Sequence, residues 1–280
     1  MINAYSSKTV RYFCTVFIFT WVFWVIAIFL SRSDNDNGMS TLFLLLGLVM
    51  PTAITLVMIF TSKNAELKQD FKEKLFGITR MRPLNIILSI ILIGAIIVCS
   101  ILLSLLFGQS TDQFSFIDGF TFTIGGVSTL LTIILTALLE EVGWRGYAQD
   151  ALASHFSWIK ATIIFGIVWA LWHLPLFFIQ DTYQYEILQL NPLYMVNFFV
   201  GIPPIAILFT WVYVKNNRSI FACMFFHFFV NLLQEKVAMT QTTKCVETIV
   251  FYVVAVIIVL ANRKMFFDKS HIEVREKQAQ

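Results

Sequence analysis

The chain has 280 residues, of which 58% are hydrophobic and only 13% are charged. An ordinary globular domain is about half apolar and about a quarter charged, so this composition excludes a water-soluble fold and indicates a membrane protein with several spans. The net charge of +3 gives no indication of a nucleic-acid partner. The four cysteines are far apart in the sequence, which argues against a disulfide framework or a sulfur-rich metal site.

Eight apolar runs are long enough to cross about 30 Å of hydrocarbon as helices. In chain order they are Phe13–Leu30, Thr41–Phe60, Ile86–Phe107, Ile124–Glu140, Trp158–Ile179, Pro192–Val214, Ile220–Val237 and Val246–Leu260. The sequence therefore predicts an all-α integral membrane bundle of about eight transmembrane helices, with a single domain over residues 1–280.

The positive charges predict the orientation of this bundle. With eight spans both termini lie on one side, and the 20 Lys and Arg residues fall on that side with three exceptions, Arg32, Lys236 and Lys244. Basic residues are enriched in cytoplasmic loops, so we expect both termini in the cytoplasm. On the same side, residues 63–82 have apolar side chains three or four positions apart, which predicts an amphipathic helix at the membrane interface.

Ionisable residues inside apolar spans are costly and are therefore candidates for function. Span four ends at Glu140 and is followed by Glu141 and Arg145. Glu141 and Arg145 are four residues apart and share a helical face, so we expect them to pair. Glu140 is rotated about 100° away and lacks that partner, which favours it as a general base that accepts a proton from water. An acidic cluster at a helix end is the simpler alternative.

Polar residues also interrupt the fifth and seventh spans. His173 follows Trp169 by four residues, so we expect the indole to pack on the imidazole. His227 and Asn231 have the same spacing and direct two hydrogen-bond donors to one side, as oxyanion stabilisation requires. The alternatives are a buried core histidine and a hydrogen-bonded pair that joins helices.

Together these residues supply a base, a second acid–base group and paired oxyanion donors, which suits hydrolysis of a peptide bond. The motifs are EExxxR from Glu140, WxxxH from Trp169 and HxxxN from His227, all within residues 140–231. They resemble the signature of the CAAX prenyl endopeptidase and bacteriocin-processing family of intramembrane proteases. The chain looks most like a microbial homologue of the Ras-converting CAAX endopeptidase branch, although the family often has Phe at the position of Trp169.

The resemblance implies an eight-helix endopeptidase that removes the last three residues of a CAAX protein after an isoprenylated cysteine. It implies that Glu140 and His173 activate water, that His227 and Asn231 stabilise the oxyanion, and that the partners are prenylated substrate and membrane lipid. One alternative is a protease of the same family that acts on another membrane peptide, such as a bacteriocin precursor. Another is a transporter or a non-proteolytic scaffold.

Metal dependence is a separate question, because Glu140, His173 and His227 form the kind of set that can bind zinc. The HExxH spacing is absent, and Asn231, which shares a face with His227, is a poor zinc ligand. We therefore expect a metal-independent mechanism without a cofactor. Counting residues from the basic loops predicts that Glu140 and His227 lie in a shallow cytoplasmic cavity, with His173 deeper at roughly 20 Å.

Overall fold

The computed structural model describes residues 2–119 and 128–270. Within these ranges the chain is helical and forms no named β-strand, which confirms the predicted all-α class. The α-helices are α1 (Thr9–Leu30), α2 (Met39–Phe60), α3 (Ala65–Phe76), α4 (Pro83–Ser104), α5 (Thr129–Gly143), α6 (Gln149–Ala153), α7 (Trp158–Trp172), α8 (Tyr183–Leu190), α9 (Pro192–Lys215), α10 (Ile220–Lys236), α11 (Gln241–Ala261) and α12 (Arg263–Phe267). A π-helical turn, Trp144–Ala148, joins α5 to α6.

Six helical segments of the described residues are long and apolar enough to cross a membrane. They are Thr9–Leu30, Met39–Phe60, Pro83–Phe107, Trp158–Phe178, Pro192–Lys215 and Gln241–Ala261. These segments match six of the eight predicted spans. The other two predicted spans contain α5 and α10, which have 15 and 17 residues and carry most of the predicted site. The predicted start of span four, Ile124, lies outside the described residues.

Consecutive spans run in opposite directions, so the bundle has two faces. The terminal face carries both ends of the described chain and residues 61–82, 154–157 and 216–219. The distal face carries residues 31–38, 105–119, 173–191 and 237–240. Connections on the distal face contact one another: the amide of Ile117 donates to the carbonyl of Lys236 (2.8 Å), and the amide of Gln180 donates to the hydroxyl of Ser31 (3.2 Å).

The predicted amphipathic helix is present as α3 on the terminal face. It begins where the side chain of Asn64 accepts a hydrogen bond from the amide of Leu67 (3.1 Å), which satisfies a backbone donor in its first turn. Its apolar side, including Leu67 and Phe71, is buried. Asp70 and Lys74 on the same helix are also buried, so α3 is part of the packed interior and not merely a surface connection.

A network of buried charges closes the terminal face. Nζ of Lys74 lies 2.6 Å from Oδ2 of Asp150, and Nη2 of Arg218 lies 2.5 Å from the same oxygen and 2.6 Å from Oδ2 of Asp70. The hydroxyl of Tyr5 also donates to Asp70 (2.8 Å). Burial would raise the pKa of Asp150, but the charges of Arg218 and Lys74 lower it to about 2. Burial lowers the pKa of Lys74 to about 8 despite the nearby carboxylates.

Candidate active site

The distal half of the bundle contains a cavity of about 360 Å³. Glu140 from α5, His173 at the end of α7, and His227 and Asn231 from α10 all line it. The structure thus brings together the four residues that the sequence predicts to be catalytic. Their predicted location next to the basic loops is wrong, because the cavity lies in the half of the bundle away from those loops. The buried ion pairs described above lie in the terminal half.

Close packing positions α5 in this cavity. A Cβ atom added at Gly143 would lie 2.5 Å from Cβ of Pro51, so any larger residue would push α5 away from α2. The carbonyl oxygen of Gly143 accepts hydrogen bonds from the hydroxyls of Tyr12 (3.0 Å) and Thr55 (3.2 Å). These contacts fix the helix one turn after Glu140.

Glu140 is nearly completely buried, with 3% of its surface exposed. Its Oε2 accepts hydrogen bonds from the indole N–H groups of Trp169 (2.8 Å) and Trp144 (3.2 Å). The prediction that Glu140 is unpaired is therefore wrong, although its partners carry no formal charge. Two donors on one oxygen hold the carboxylate in a defined orientation on the cavity wall.

Glu141 connects α5 to α10. Its Oε1 accepts hydrogen bonds from Nη1 of Arg145 (3.0 Å), which confirms the predicted pair, and from Nδ1 of His227 (2.9 Å). The guanidinium of Arg145 lies over the rings of Phe165 and Phe209, at 5.0 and 4.6 Å from the ring centres. Because Glu141 binds Nδ1 of His227, Nε2 is the ring nitrogen available to the cavity.

His173 caps the distal end of α7. Its Nδ1 lies 2.7 Å from the carbonyl oxygen of Trp169, and because a carbonyl can only accept, Nδ1 carries the proton and Nε2 is left as an acceptor. The predicted contact with the Trp169 ring is confirmed, at 5.9 Å between ring centres, and Trp172 packs on another side at 4.9 Å. The predicted depth of His173 was counted from the basic residues of the terminal face. Because His173 lies at the other end of α7, it is close to the distal face.

Asn231 lies one helical turn beyond His227 on α10 and is half-buried. Its side chain makes no hydrogen bond to the rest of the described chain and lines the same cavity. Its amide is therefore free to bind a ligand.

Comparison with known proteins identifies the family. A family model described as type II CAAX prenyl endopeptidase Rce1-like matches residues 121–233. The chain is 44% identical over 269 residues to CAAX prenyl protease 2 of Methanococcus maripaludis, and the alignment covers 96% of this chain and 99% of that relative. The chain belongs to the Rce1-like CAAX prenyl endopeptidase family. The resemblance drawn from the motifs is confirmed, and this Rce1-like protein is a multi-pass membrane protease.

Zinc binding in this Rce1-like protease would require Glu140, His173 and His227 as ligands. Both histidines donate Nδ1–H to an oxygen acceptor, which is also common for histidines that bind zinc. However, no three His, Cys, Asp or Glu side chains within residues 2–119 and 128–270 are grouped closely enough to hold a metal ion. Two indoles also occupy one oxygen of Glu140. In this arrangement the residues do not fit a zinc site.

The sequence did not reveal every contact of the Rce1-like site. Trp144 follows Glu140 by four residues, so its hydrogen bond could have been predicted from the same spacing that predicts the Glu141–Arg145 pair. The contact between Glu141 and His227 joins residues 86 positions apart, which no local pattern indicates. Lys244 also lines the cavity, whereas the sequence predicts only a charge in a loop at this position.

Proposed function

We propose that this protease hydrolyses the peptide bond after an isoprenylated cysteine in a C-terminal CAAX motif and releases the last three residues. The observation that carries the proposal is the meeting of Glu140, His173, His227 and Asn231 in one cavity, in a chain that is 44% identical to a protein named CAAX prenyl protease 2. A base, a water-orienting group and two oxyanion donors suffice for peptide hydrolysis without a protein nucleophile.

Glu140 is the general base in this mechanism. Its Oε2 is held by Trp144 and Trp169, which leaves Oε1 to accept a proton from the attacking water. Nε2 of His173 accepts a second hydrogen bond from that water and orients it. The protonated Glu140 then transfers its proton to the leaving amine, so no net proton is gained by the enzyme.

His227 and Asn231 stabilise the oxyanion that forms on the scissile carbonyl. Because Nδ1 of His227 is bonded to Glu141, the ring donates from Nε2 only when both nitrogens carry protons. Asn231 supplies a neutral amide donor, and such donors contribute roughly 3 to 4 kcal/mol each in known hydrolases.

The apolar part of the cavity suits a lipid-modified substrate. A buried isoprenoid gains about 0.8 kcal/mol per CH₂ group, so a farnesyl chain of 15 carbons partitions strongly into lipid or an apolar cavity. Aliphatic and aromatic side chains contribute to the lining, among them Leu44, Leu48, Ile133, Phe198, Ile202 and Val230. Prenylated substrate and membrane lipid are therefore the proposed partners.

We also propose that both termini are cytoplasmic, since the basic residues concentrate on the terminal face. In this orientation the cavity lies in the outer half of the bundle, and a cytoplasmic substrate reaches Glu140 through the membrane interior. Cysteine labelling tests this. In a background without Cys14, Cys99 and the partly exposed Cys245, Asn35→Cys on the distal face should react with a membrane-impermeant maleimide on intact cells, whereas Ser270→Cys should react only after lysis. The reverse pattern would contradict the orientation and open the cavity to the cytoplasm.

Cleavage of a farnesylated CAAX peptide by the purified full-length protein tests the function. After exhaustive chelation, we expect the wild type to cut after the prenylated cysteine. Glu140→Gln, which keeps the side-chain size, should reduce kcat by about 10²- to 10⁴-fold, the usual contribution of a general base. Glu186→Gln is the matched control, because Glu186 is exposed on α8 on the distal face.

Each other outcome overturns a defined part of the proposal. Loss of activity on chelation with recovery on addition of zinc would make His227 a ligand instead of an oxyanion donor. Failure of folded, metal-replete protein to cut the peptide would overturn the prenylated substrate. Equal activity of Glu140→Gln and Glu186→Gln would remove Glu140 as the base.

A further inference from the structure

Lys244 brings a positive charge to the cavity. It lies in the first turn of α11, and among the described residues it is the single Lys or Arg on the cavity lining. The lining also includes carboxylates and aromatic rings. A cation in this position, on the same cavity as the site that cuts the peptide, requires an explanation.

The ammonium of Lys244 makes only long hydrogen bonds within the protein. It has three donors, and its nitrogen lies 3.4 Å from both the hydroxyl of Tyr183 and the carbonyl oxygen of Gln234, and 4.9 Å from the centre of the Tyr183 ring. These distances exceed the usual 2.9 Å or so of a good hydrogen bond. No carboxylate of the described residues lies within 4.0 Å of it, whereas Lys74 and Arg218 on the terminal face have close ion pairs.

The carboxylate of Glu247 lies beyond ion-pair distance from the Lys244 ammonium, although the two charges attract each other. Its Oε1 accepts a hydrogen bond from Nε2 of Gln234 at 2.6 Å. Glu247 thus holds the Gln234 side chain, while the Gln234 backbone carbonyl faces Lys244. The ammonium is available to an anion that enters the cavity.

The distance along α10 matches the length of the peptide that is released. Gln234, which the Lys244 ammonium contacts, lies three residues beyond Asn231 and seven beyond His227, or roughly 5 and 10 Å along the helix axis. Three extended residues span about 10 Å. A carboxylate three residues after a carbonyl held by His227 and Asn231 can therefore reach Lys244.

We propose that Lys244 binds the C-terminal carboxylate of the substrate and thereby selects chains that end three residues after the cleaved bond. This inference rests on the proposed function, since it requires cleavage after the prenylated cysteine. Tyr183 holds the Lys244 side chain from one side, because its hydroxyl accepts a hydrogen bond from the ammonium (3.4 Å) while it donates to Oε1 of Gln241 (3.2 Å).

Two farnesylated peptides of the same sequence test the assignment, one with a free C-terminal carboxylate and one with a C-terminal amide. We expect the wild type to prefer the acid by about 10- to 100-fold in kcat/KM, the range for hydrogen bonds to charged groups. In Lys244→Met, kcat/KM for the acid should fall to the value for the amide, and Lys244→Arg should restore the preference. Adding one residue after the motif should lower cleavage by the wild type far more than cleavage by Lys244→Met.

Lys236→Met is the matched control. Lys236 lies at the same face, but its ammonium donates to the carbonyls of Ile117 and Gly119 and does not line the cavity. This variant should keep the wild-type ratio of acid to amide. If Lys244→Met does not fold, Lys244→Gln gives the same test.

A preference for the acid that survives in Lys244→Met or Lys244→Gln would overturn the assignment. Equal cleavage of both peptides by the wild type would do so too. Failure of the wild type to cut either peptide would instead overturn the proposed function.

Discussion

Buried carboxylates in the two halves of the bundle have different kinds of partners. On the terminal face, Asp70 and Asp150 lie against Lys74 and Arg218 at ion-pair distance, so each of these charges has an opposite charge beside it. In the distal half of the bundle, Glu140 has two neutral indoles as partners, and the groups around it line a cavity. Buried charge is thus matched by opposite charge where the chain needs a fixed structure.

The difference indicates what each face does. A buried ion pair contributes little net stability, but breaking it by removing one partner is strongly unfavourable. The terminal face therefore resists change and holds α3, α6 and the start of α10 together. The distal face keeps hydrogen-bonding capacity unused by the protein, which a substrate and water can use.

The largest expected effect is a loss of stability without a loss of activity, caused by a change in the ion-pair network of the terminal face. Asp150→Ala should leave Lys74 and Arg218 short of a counter-charge, cost about 3 to 5 kcal/mol of unfolding free energy and lower Tm by roughly 10 °C. The kcat of the folded fraction should change by less than about threefold, because Asp150 does not line the cavity. Thermal unfolding in detergent together with activity per folded molecule checks both. Asp34→Ala, an exposed aspartate, is the control, and an equal fall in Tm for the two variants would contradict the role of the network.

A substitution in the cavity should have the opposite effect, which is a loss of activity without a loss of stability. Asn231→Ala removes one of the two proposed oxyanion donors and should lower kcat by about 10²- to 10³-fold, with Tm changed by less than about 2 °C. Asn197→Ala is the control, since Asn197 is another asparagine on the cavity lining whose amide donates to the carbonyl of Lys244 (3.4 Å). A loss of activity equal to that of Asn197→Ala would remove Asn231 from the oxyanion site.

Low pH should destabilise the folded protein because Asp150 on the terminal face becomes protonated. Its pKa is lowered from 3.8 to about 2 in the folded protein, so the stabilisation is complete above about pH 4 and is lost as the pH falls toward 2. The loss is on the order of 2 kcal/mol. Tm measured between pH 6 and pH 2.5 should therefore fall more in the wild type than in Asp150→Asn, which lacks the titrating group. Parallel curves would show that other groups govern acid unfolding.

The smallest expected effect concerns the hydrogen bonds to Glu140. Trp169→Phe keeps an aromatic ring but removes the closer of the two indole donors, so kcat should fall about tenfold, the lower end expected for a hydrogen bond to a charged group. Trp172→Phe is a matched control, because the Trp172 indole nitrogen has no hydrogen-bond partner among the described residues. Steady-state kinetics of the two variants distinguishes loss of the donor from loss of ring size.

Much of the architecture could be predicted because it depends on local patterns. Apolar runs predicted the six segments that are long enough to cross a membrane. The i to i+4 spacing predicted the Glu141–Arg145 pair and the contact between Trp169 and His173. The location of the cavity could not be predicted by counting from the basic loops, because Arg145, which the charge pattern assigns to such a loop, is buried inside the bundle against Glu141. The hydrogen bond from Trp169 to Glu140 could not be predicted, because it joins residues 29 positions apart on different helices.

The π-helical turn at Trp144–Ala148 has a consequence for the whole helix that contains it. Such a turn contains one residue more than an α-helical turn, and each residue rotates a helix by about 100°. Removing one residue from it would leave Glu140 in its place but rotate Asp150 away from Lys74 and Arg218. The extra residue therefore sets the rotation about the helix axis between Glu140 and Asp150. It allows one helix to place Glu140 at the cavity and Asp150 among the ion pairs of the terminal half.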